Sequence, residues 1–210
     1  MKVVYWSDFV CPFCYIGVTR LKKAAQEVGM TLELEIKAFQ LDPNAALHTT
    51  EDTLTRFAEK YHLSKAEASE QIDSISEMGR REGLDFKYAS TLFTNTMDAH
   101  RLMKLAQSRS VSEKLAEKFY SAYFTDNLEL SDHSLLKKLG LECGLDESDI
   151  DRVLNSDEYK NEVLADEVDA YKRGIDAVPY FVIGDGYAIT GAESVGNMAR
   201  VMRLAQQQSV

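Results

Sequence analysis

The sequence predicts an α/β protein whose two chain ends form a small sheet and whose middle is a large all-helical insertion. Three observations lead to this prediction. A strand–helix–strand pattern fills the first 40 residues, proline is absent from about residue 50 to residue 172, and strand patterns return only after Gly174. The chain has 210 residues with 45% hydrophobic content, so it can bury a substantial core.

The first 40 residues alternate between strand and helix. Residues 2–6 form an apolar run that predicts a buried strand, and a helical pattern runs from Pro12 to Gly29, a typical helix terminator. Apolar and charged residues then alternate over 32–38, which predicts a strand with one solvated face. A βαβ unit of this kind should have parallel strands.

The middle of the chain carries repeated helix-start signals. Capping-box patterns occur at Ser64–Glu67 and Ser110–Glu113, and acidic start residues occur at Asp98, Asp132 and Asp157. These signals predict five or six helices of ordinary length.

The C-terminal residues predict a hairpin followed by a helix. Apolar, β-prone residues at 178–183 and 187–190 flank a Gly-Asp-Gly turn, which favours two antiparallel strands. An amphipathic helix is predicted from about Glu193 to Gln206.

These patterns divide the chain into two units. Residues 1–47 and 165–210 are expected to form the sheet-containing domain, and residues 48–164 the helical insertion. A cleft between two such units is a common place for a functional site.

Composition limits the partners and the compartment. The net charge is −10, which argues against nucleic acid and anionic membranes as partners because both require a basic surface. We see no signal-peptide pattern and no apolar stretch near the ~20 residues of a membrane span. Only three cysteines occur, too few for a disulfide scaffold. We therefore expect a cytoplasmic protein.

The segment Cys11-Pro12-Phe13-Cys14 carries the strongest chemical signal. It follows the first strand and opens the first helix, where free backbone N–H groups and the helix dipole favour an anion. Cys11 should therefore be the reactive thiolate, and Cys14, one turn further on, should resolve a mixed disulfide.

Two alternatives remain for the Cys pair. A Cys-x-x-Cys is half of many zinc sites, but there is no second pair, and Cys143 has no histidine at ligand spacing. We therefore predict no metal site. Two buried structural cysteines are the other alternative. Cys143 itself is expected to be a small buried residue near a helix end.

Pro179 begins the predicted third strand. Most X–Pro bonds are trans. A cis Val178–Pro179 bond would expose the backbone of Val178 for pairing with an extended substrate.

Several segments, in order, resemble a known family over nearly the whole chain. They are Ser7-Asp8 before Cys11–Gly17, and then Phe39–Pro43, Asn95–Leu102, Val178–Ile183 and Gly191-Ala192. The chain resembles the DsbA-like thioredoxin-fold oxidoreductases, specifically their cytoplasmic FrnE-type branch.

The resemblance implies a thioredoxin fold with a helical lid over a thiol–disulfide exchange site. Cys11 would be the nucleophile, Cys14 the resolving thiol and Pro179 a cis proline. Pro12, Phe13 and Val178 would contact substrate, and His100 could face the cleft and tune Cys11; these residues stand in the matching segments.

The same resemblance sets expectations about substrates and cofactors. Substrates would be protein thiols or disulfides, or small thiols, with glutathione as a possible co-substrate and no bound cofactor. The protein would be a monomer or a homodimer. Phe13 and Ala177 depart from the usual residues of the family. Because Phe13 offers no hydrogen bond or charge to Cys11, we do not expect a strongly oxidising potential.

Two alternative functions remain. Glutathione-dependent isomerases such as 2-hydroxychromene-2-carboxylate isomerase, and the related kappa-class transferases, are similar but do not require a second cysteine. A holdase-type chaperone or peptide-binding protein would instead use an apolar groove, which could be lined by Phe9, Phe13, Tyr15, Phe39 and Phe93.

Overall fold

The structure is a computed structural model that describes residues 1–208; residues 209 and 210, where the predicted sheet domain ends, lie outside the described residues. The strands are β1 (Lys2–Ser7), β2 (Glu33–Ala38), β3 (Tyr180–Ile183) and β4 (Tyr187–Thr190). The helices are α1 (Pro12–Glu27), α2 (Thr53–Tyr61), α3 (Lys65–Arg81), α4 (Met97–Ser108), α5 (Ser112–Phe124), α6 (His133–Cys143), α7 (Glu147–Leu154), α8 (Lys160–Lys172) and α9 (Val195–Gln208). A short 3-10 turn, Tyr88–Ser90, precedes α4.

The two ends of the chain form one sheet in the order β2-β1-β3-β4. β1 pairs with β2 in parallel and with β3 antiparallel, so Tyr5 lies between Ile36 and Phe181. β3 and β4 form the antiparallel hairpin, and α1 packs against α9. The predicted α/β class and the thioredoxin fold are confirmed.

The helical segment contains more helices than the sequence predicts. Within residues 48–172 the structure has seven α-helices, not five or six, because α2 is a separate nine-residue helix capped by Asp52. The capping box at Ser64–Glu67 is present. The capping box predicted at Ser110–Glu113 is wrong. Ser110 has a φ of +58° and its N–H donates to the Gln107 carbonyl, so Ser110 belongs to the end of α4 and does not begin the next helix.

Asp166 joins the helical segment to the sheet. Its buried carboxylate accepts the Ala38 N–H at 2.9 Å and pairs with Lys37 at 3.2 Å and with Lys104. Its backbone carbonyl accepts the Trp6 indole N–H at 3.1 Å. The predicted domain boundary between residues 164 and 165 falls inside α8, and this helix packs on both β2 and α4.

No helix within residues 1–208 combines the length and the apolar character that crossing a membrane requires.

Replacing the buried Asp166 with Asn should lower the free energy of unfolding by roughly 3 kcal/mol, because its two partly buried cationic partners, Lys37 and Lys104, lose their carboxylate. The matched control is Asp169→Asn on the same helix. Asp169 is 32% exposed and pairs with Arg173 at 2.9 Å and more loosely with Lys37 at 3.9 Å, so its loss should cost less than about 1 kcal/mol. Denaturant unfolding of both variants checks this, and equal losses would contradict the anchoring role of Asp166.

Candidate active site

Cys11 and Cys14 lie at the start of α1, directly behind the end of β1. Cys11 is the N-cap residue, Pro12 occupies the first helical position, and the Cys14 N–H donates to the Cys11 carbonyl at 3.1 Å. The first turn of α1 contains no acidic side chain. The N-terminal end of the helix dipole therefore lies at Cys11, with no carboxylate of that first turn opposing it.

The two thiols differ in their surroundings. Cys11 is 4% exposed and reaches the cavity described below, whereas Cys14 is completely buried. Burial is the main cause that raises the pKa of Cys14, and the neighbouring Cys11 sulfur adds to it. Hydrogen bonds from the Ser7 hydroxyl and the Asp8 backbone partly oppose this rise. At neutral pH Cys14 is consequently a protonated, shielded thiol.

The loop before β3 closes on the Cys pair. The Val178–Pro179 peptide bond is cis, and the Cys11 thiol donates to the Val178 carbonyl at 3.7 Å. Gly17, one turn after Cys14, allows this approach: a Cβ there would lie 2.9 Å from Pro179 Cγ. The sequence shows Gly17 only as part of the resembling segment, and its packing role appears only in the tertiary structure.

A cavity of about 290 Å³ opens beside Cys11. Pro12, Phe13 and Val178 line it together with Cys11, as the resemblance implies for substrate contacts. The opposite wall comes from the helical segment and consists of Arg56, Phe57, Lys60, Tyr61, Ile75, Tyr88 and Phe93, among others. Two larger, open grooves of about 810 and 730 Å³ contain neither cysteine of the pair.

Two cations on this wall were not singled out from the sequence. Arg56 and Lys60 lie one turn apart on α2. The Arg56 guanidinium lies 3.5 Å from the centre of the Phe93 ring, and it contacts the Asp42 carboxylate at 3.3 Å. The only sequence signal is the i, i+4 spacing on a short amphipathic helix, which is common on any protein surface.

His100 does not line the cavity. It is 2% exposed, and its Nε2 lies 3.3 Å from the buried Asp8 carboxylate, which also accepts the Leu41 N–H at 2.8 Å. His100 therefore pairs with a buried acid and does not face the cleft. Asp8 faces His100 and Leu41, and the contact between Asp8 and His100 links the Cys loop to α4.

The aromatic residues considered for a chaperone groove do not form one surface. Phe13 and Phe93 line the cavity. Phe9 is fully buried against Phe119 and Tyr120, Tyr15 stacks on Tyr120, and Phe39 packs against the core.

Cys143 ends α6 and is 4% exposed, as expected for a small buried residue. Cys11, Cys14 and Cys143 are all free cysteines. Residues 1–208 contain no cluster of His, Cys, Asp and Glu that could hold a metal ion.

Comparison with known proteins assigns the chain to a family. The model of the DSBA-like thioredoxin domain matches residues 2–203. The chain belongs to this DSBA-like family. Its structure resembles that of a probable DsbA oxidoreductase, SCO1869 from Streptomyces coelicolor, with a TM-score of 0.91 and 31% identity over 99% of this chain and 91% of that one. The FrnE-type assignment is consistent with these findings.

One more sequence match and two structural matches of lower identity are also informative. YwbO of Bacillus subtilis (strain 168), an uncharacterized protein, is 25% identical over 88% of both chains. The 2-hydroxychromene-2-carboxylate isomerase structure has a TM-score of 0.72 at 18% identity and covers 100% of this chain and 98% of its own. The cytosolic disulfide reductase DsbM from Pseudomonas aeruginosa with GSH has a TM-score of 0.66 at 13% identity and covers 100% and 99%.

Replacing Gly17 with Ala should lower the free energy of unfolding by roughly 1–3 kcal/mol, because the added methyl group collides with the Pro179 ring. It should also speed alkylation of Cys11, because the loop that covers the thiol is displaced. Gly196→Ala in α9 is the matched control, since a Cβ there meets no atom within 4 Å. Denaturant unfolding and mass-resolved alkylation test both variants, and equal behaviour would refute the packing role.

Proposed function

We propose that this DSBA-like protein is a thiol–disulfide oxidoreductase whose Cys11 and Cys14 alternate between dithiol and disulfide. The observation that carries the proposal is the asymmetry of the pair. Cys11 caps α1 and reaches the cavity, whereas Cys14 is buried one turn behind it. One sulfur can therefore meet a substrate, and the other can meet only Cys11.

In the reducing direction, the Cys11 thiolate attacks one sulfur of a substrate disulfide. The substrate S–S bond breaks, a bond from Cys11 to the substrate forms, and the first substrate thiolate leaves. Cys14 then attacks the Cys11 sulfur, the mixed disulfide breaks, and the Cys11–Cys14 disulfide forms. The two electrons that reduce the substrate come from the cysteine pair, and the oxidising direction is the reverse.

The cavity supports a substrate that enters as a small group or an extended chain. Its volume of about 290 Å³ suits a small thiol or a short peptide segment, and not a folded surface. The carbonyl of Val178 lies at its edge beside Cys11, where an extended substrate could pair with the backbone. Protein thiols presented in extended form and small thiols are thus the proposed substrates.

No bound cofactor is proposed, because the cysteine pair itself carries the electrons. Glutathione is a proposed co-substrate. The DsbM relative is described as a cytosolic disulfide reductase with GSH, which supports this proposal and a cytoplasmic location.

A glutathione-dependent isomerase is the second candidate. The fold is shared with 2-hydroxychromene-2-carboxylate isomerase, and Arg56 and Lys60 make the cavity wall suitable for an anionic ligand. Such an activity would not depend on Cys14. Isomerase activity that persists in Cys14→Ser would therefore favour this candidate, and holdase activity that persists in Cys11→Ala would favour a chaperone.

Cys11→Ser should abolish exchange, and Cys14→Ser should accumulate mixed disulfides, because the second attack is lost. Turnover of a fluorogenic disulfide and mass spectrometry of trapped adducts measure both effects. Cys143→Ser is the matched control and should keep full turnover, because Cys143 ends α6 and does not line the cavity. Unimpaired multiple turnover by Cys14→Ser would rule out its resolving role.

Phe13→His should make the pair more oxidising, because a histidine next to the thiolate stabilises the reduced form. Phe13 is 37% exposed, so the substitution can be accommodated. The equilibrium with glutathione should shift about tenfold, or ~30 mV. Phe13→Leu is the control and should leave the equilibrium unchanged; an equal shift in both variants would contradict the electrostatic explanation.

A further inference from the structure

The segment that follows β2 continues to pair with the chain around the end of β1. The Phe39 N–H donates to the carbonyl of Ser7, the last residue of β1, at 3.1 Å. Beyond Ser7 the chain leaves the sheet and turns toward the Cys pair. Two residues after Phe39, the Leu41 N–H donates to the Asp8 carboxylate at 2.8 Å. A side chain thus takes over here from the backbone of the strand.

Asp8 holds two parts of the cavity wall at once. Its backbone carbonyl accepts the Cys11 N–H at 3.2 Å, while its carboxylate accepts the Leu41 N–H. Cys11 and Leu41 both line the cavity. The position of Leu41 relative to the reactive thiol therefore depends on the orientation of one side chain.

His100 fixes that orientation. Asp8 is fully buried, His100 is 2% exposed, and the His100 Nε2 lies 3.3 Å from the Asp8 carboxylate. The imidazole is itself packed against Phe9, with ring centroids 4.7 Å apart. A buried carboxylate that rotated away from either partner would leave a polar group unsatisfied, which is costly.

The side chain of Leu41 is available to a ligand, although its backbone is held. It is 44% exposed, which is unusual for a large apolar residue beside a buried acid. Phe13, 37% exposed, also lines the cavity. Partly exposed apolar side chains near the reactive sulfur can bury further area against an apolar group of a substrate.

We propose that Asp8, oriented by His100, is a positioning residue that holds Leu41 at the entrance to Cys11, where Leu41 contacts an apolar residue next to the substrate sulfur. This inference rests on the proposed exchange reaction and adds a preference among its substrates. Asp8 acts only through the position of Leu41. Its loss should weaken the binding of apolar substrates and leave the sequence of bond exchanges unchanged.

Two fluorogenic peptide disulfides test the contact, one with leucine and one with serine beside the reacting cysteine. The wild-type protein should show a kcat/KM roughly fivefold higher for the leucine peptide, mainly through KM, because apolar area is buried on Leu41. Leu41→Ala and His100→Phe should both lose most of this preference. Alkylation of Cys11 by iodoacetamide should stay within about twofold in both variants, because the reaction of a thiol with so small a reagent depends on its pKa and exposure.

Hydrogen exchange at the Leu41 amide tests the positioning role directly. Asp8→Ala removes the acceptor and should speed this exchange about tenfold or more. His100→Phe keeps an aromatic ring against Phe9 but removes the nitrogen, and should speed the exchange by a smaller factor. His100→Gln can place an amide nitrogen where Nε2 lies, and should restore both the slow exchange and the leucine preference.

Asp166→Asn is the matched control. Asp166 is also buried and accepts an N–H from the end of β2, that of Ala38 at 2.9 Å, but its other partners are the lysines of β2 and α4. The variant should lose global stability and keep the leucine preference and the slow exchange at Leu41. A loss of preference equal to that in His100→Phe would overturn the proposal, because general destabilisation would then explain both.

The remaining outcomes separate the parts of the proposal. Unchanged exchange at the Leu41 amide in folded Asp8→Ala and His100→Phe would overturn the positioning role. An undiminished leucine preference in Leu41→Ala would overturn the substrate contact. A wild-type protein that exchanges no disulfide would instead refute the proposed function, and the amide measurement would still decide the role of Asp8.

Discussion

The approach of the α1 N-terminus to the loop before β3 is the contact on which the rest of the site depends. It brings Cys11 to the Val178 carbonyl, 167 residues away in sequence, and it requires the small size of Gly17 against Pro179. Cys14 is fully buried beside this contact, and Cys11 lies at the edge of the cavity. Packing thereby gives the two sulfurs different access to the cavity, although the two residues are chemically the same.

Buried acidic side chains locate the helical segment relative to that contact. Asp166 binds the end of β2 and Lys104 of α4, and Asp8 binds His100 of the same helix. Because a buried polar group without a hydrogen-bond partner is strongly unfavourable, each acid specifies where its partner helix lies. The cavity wall that carries Arg56 and Lys60 is therefore set at a defined position over Cys11, and Tyr120 reaches Ser7 from the other side.

Particular elements show where sequence patterns succeed and where they fail. The alternating residues of β2, the Gly-Asp-Gly turn and the capping box at Ser64 act locally, so their patterns predict the structure correctly. Ser110 has the same local pattern as Ser64, but the end of α4 engages its backbone first. From the sequence, His100 could face the cleft or be satisfied inside the fold, and a buried acid 92 residues away determines its direction. Such outcomes depend on partners that are distant along the chain.

By itself, the sequence determined the α/β class, the division into two ends and a helical middle, and the Cys pair that opens a helix. These follow from hydrophobic periodicity, turn residues and spacing, which are properties of short segments. Only the tertiary structure decided that Cys14 is fully buried, that Gly17 must be small and that Ser7 meets Tyr120. Burial and hydrogen bonding between segments arise from packing, so the different environments of two sulfurs three residues apart could not be read from their tetrapeptide.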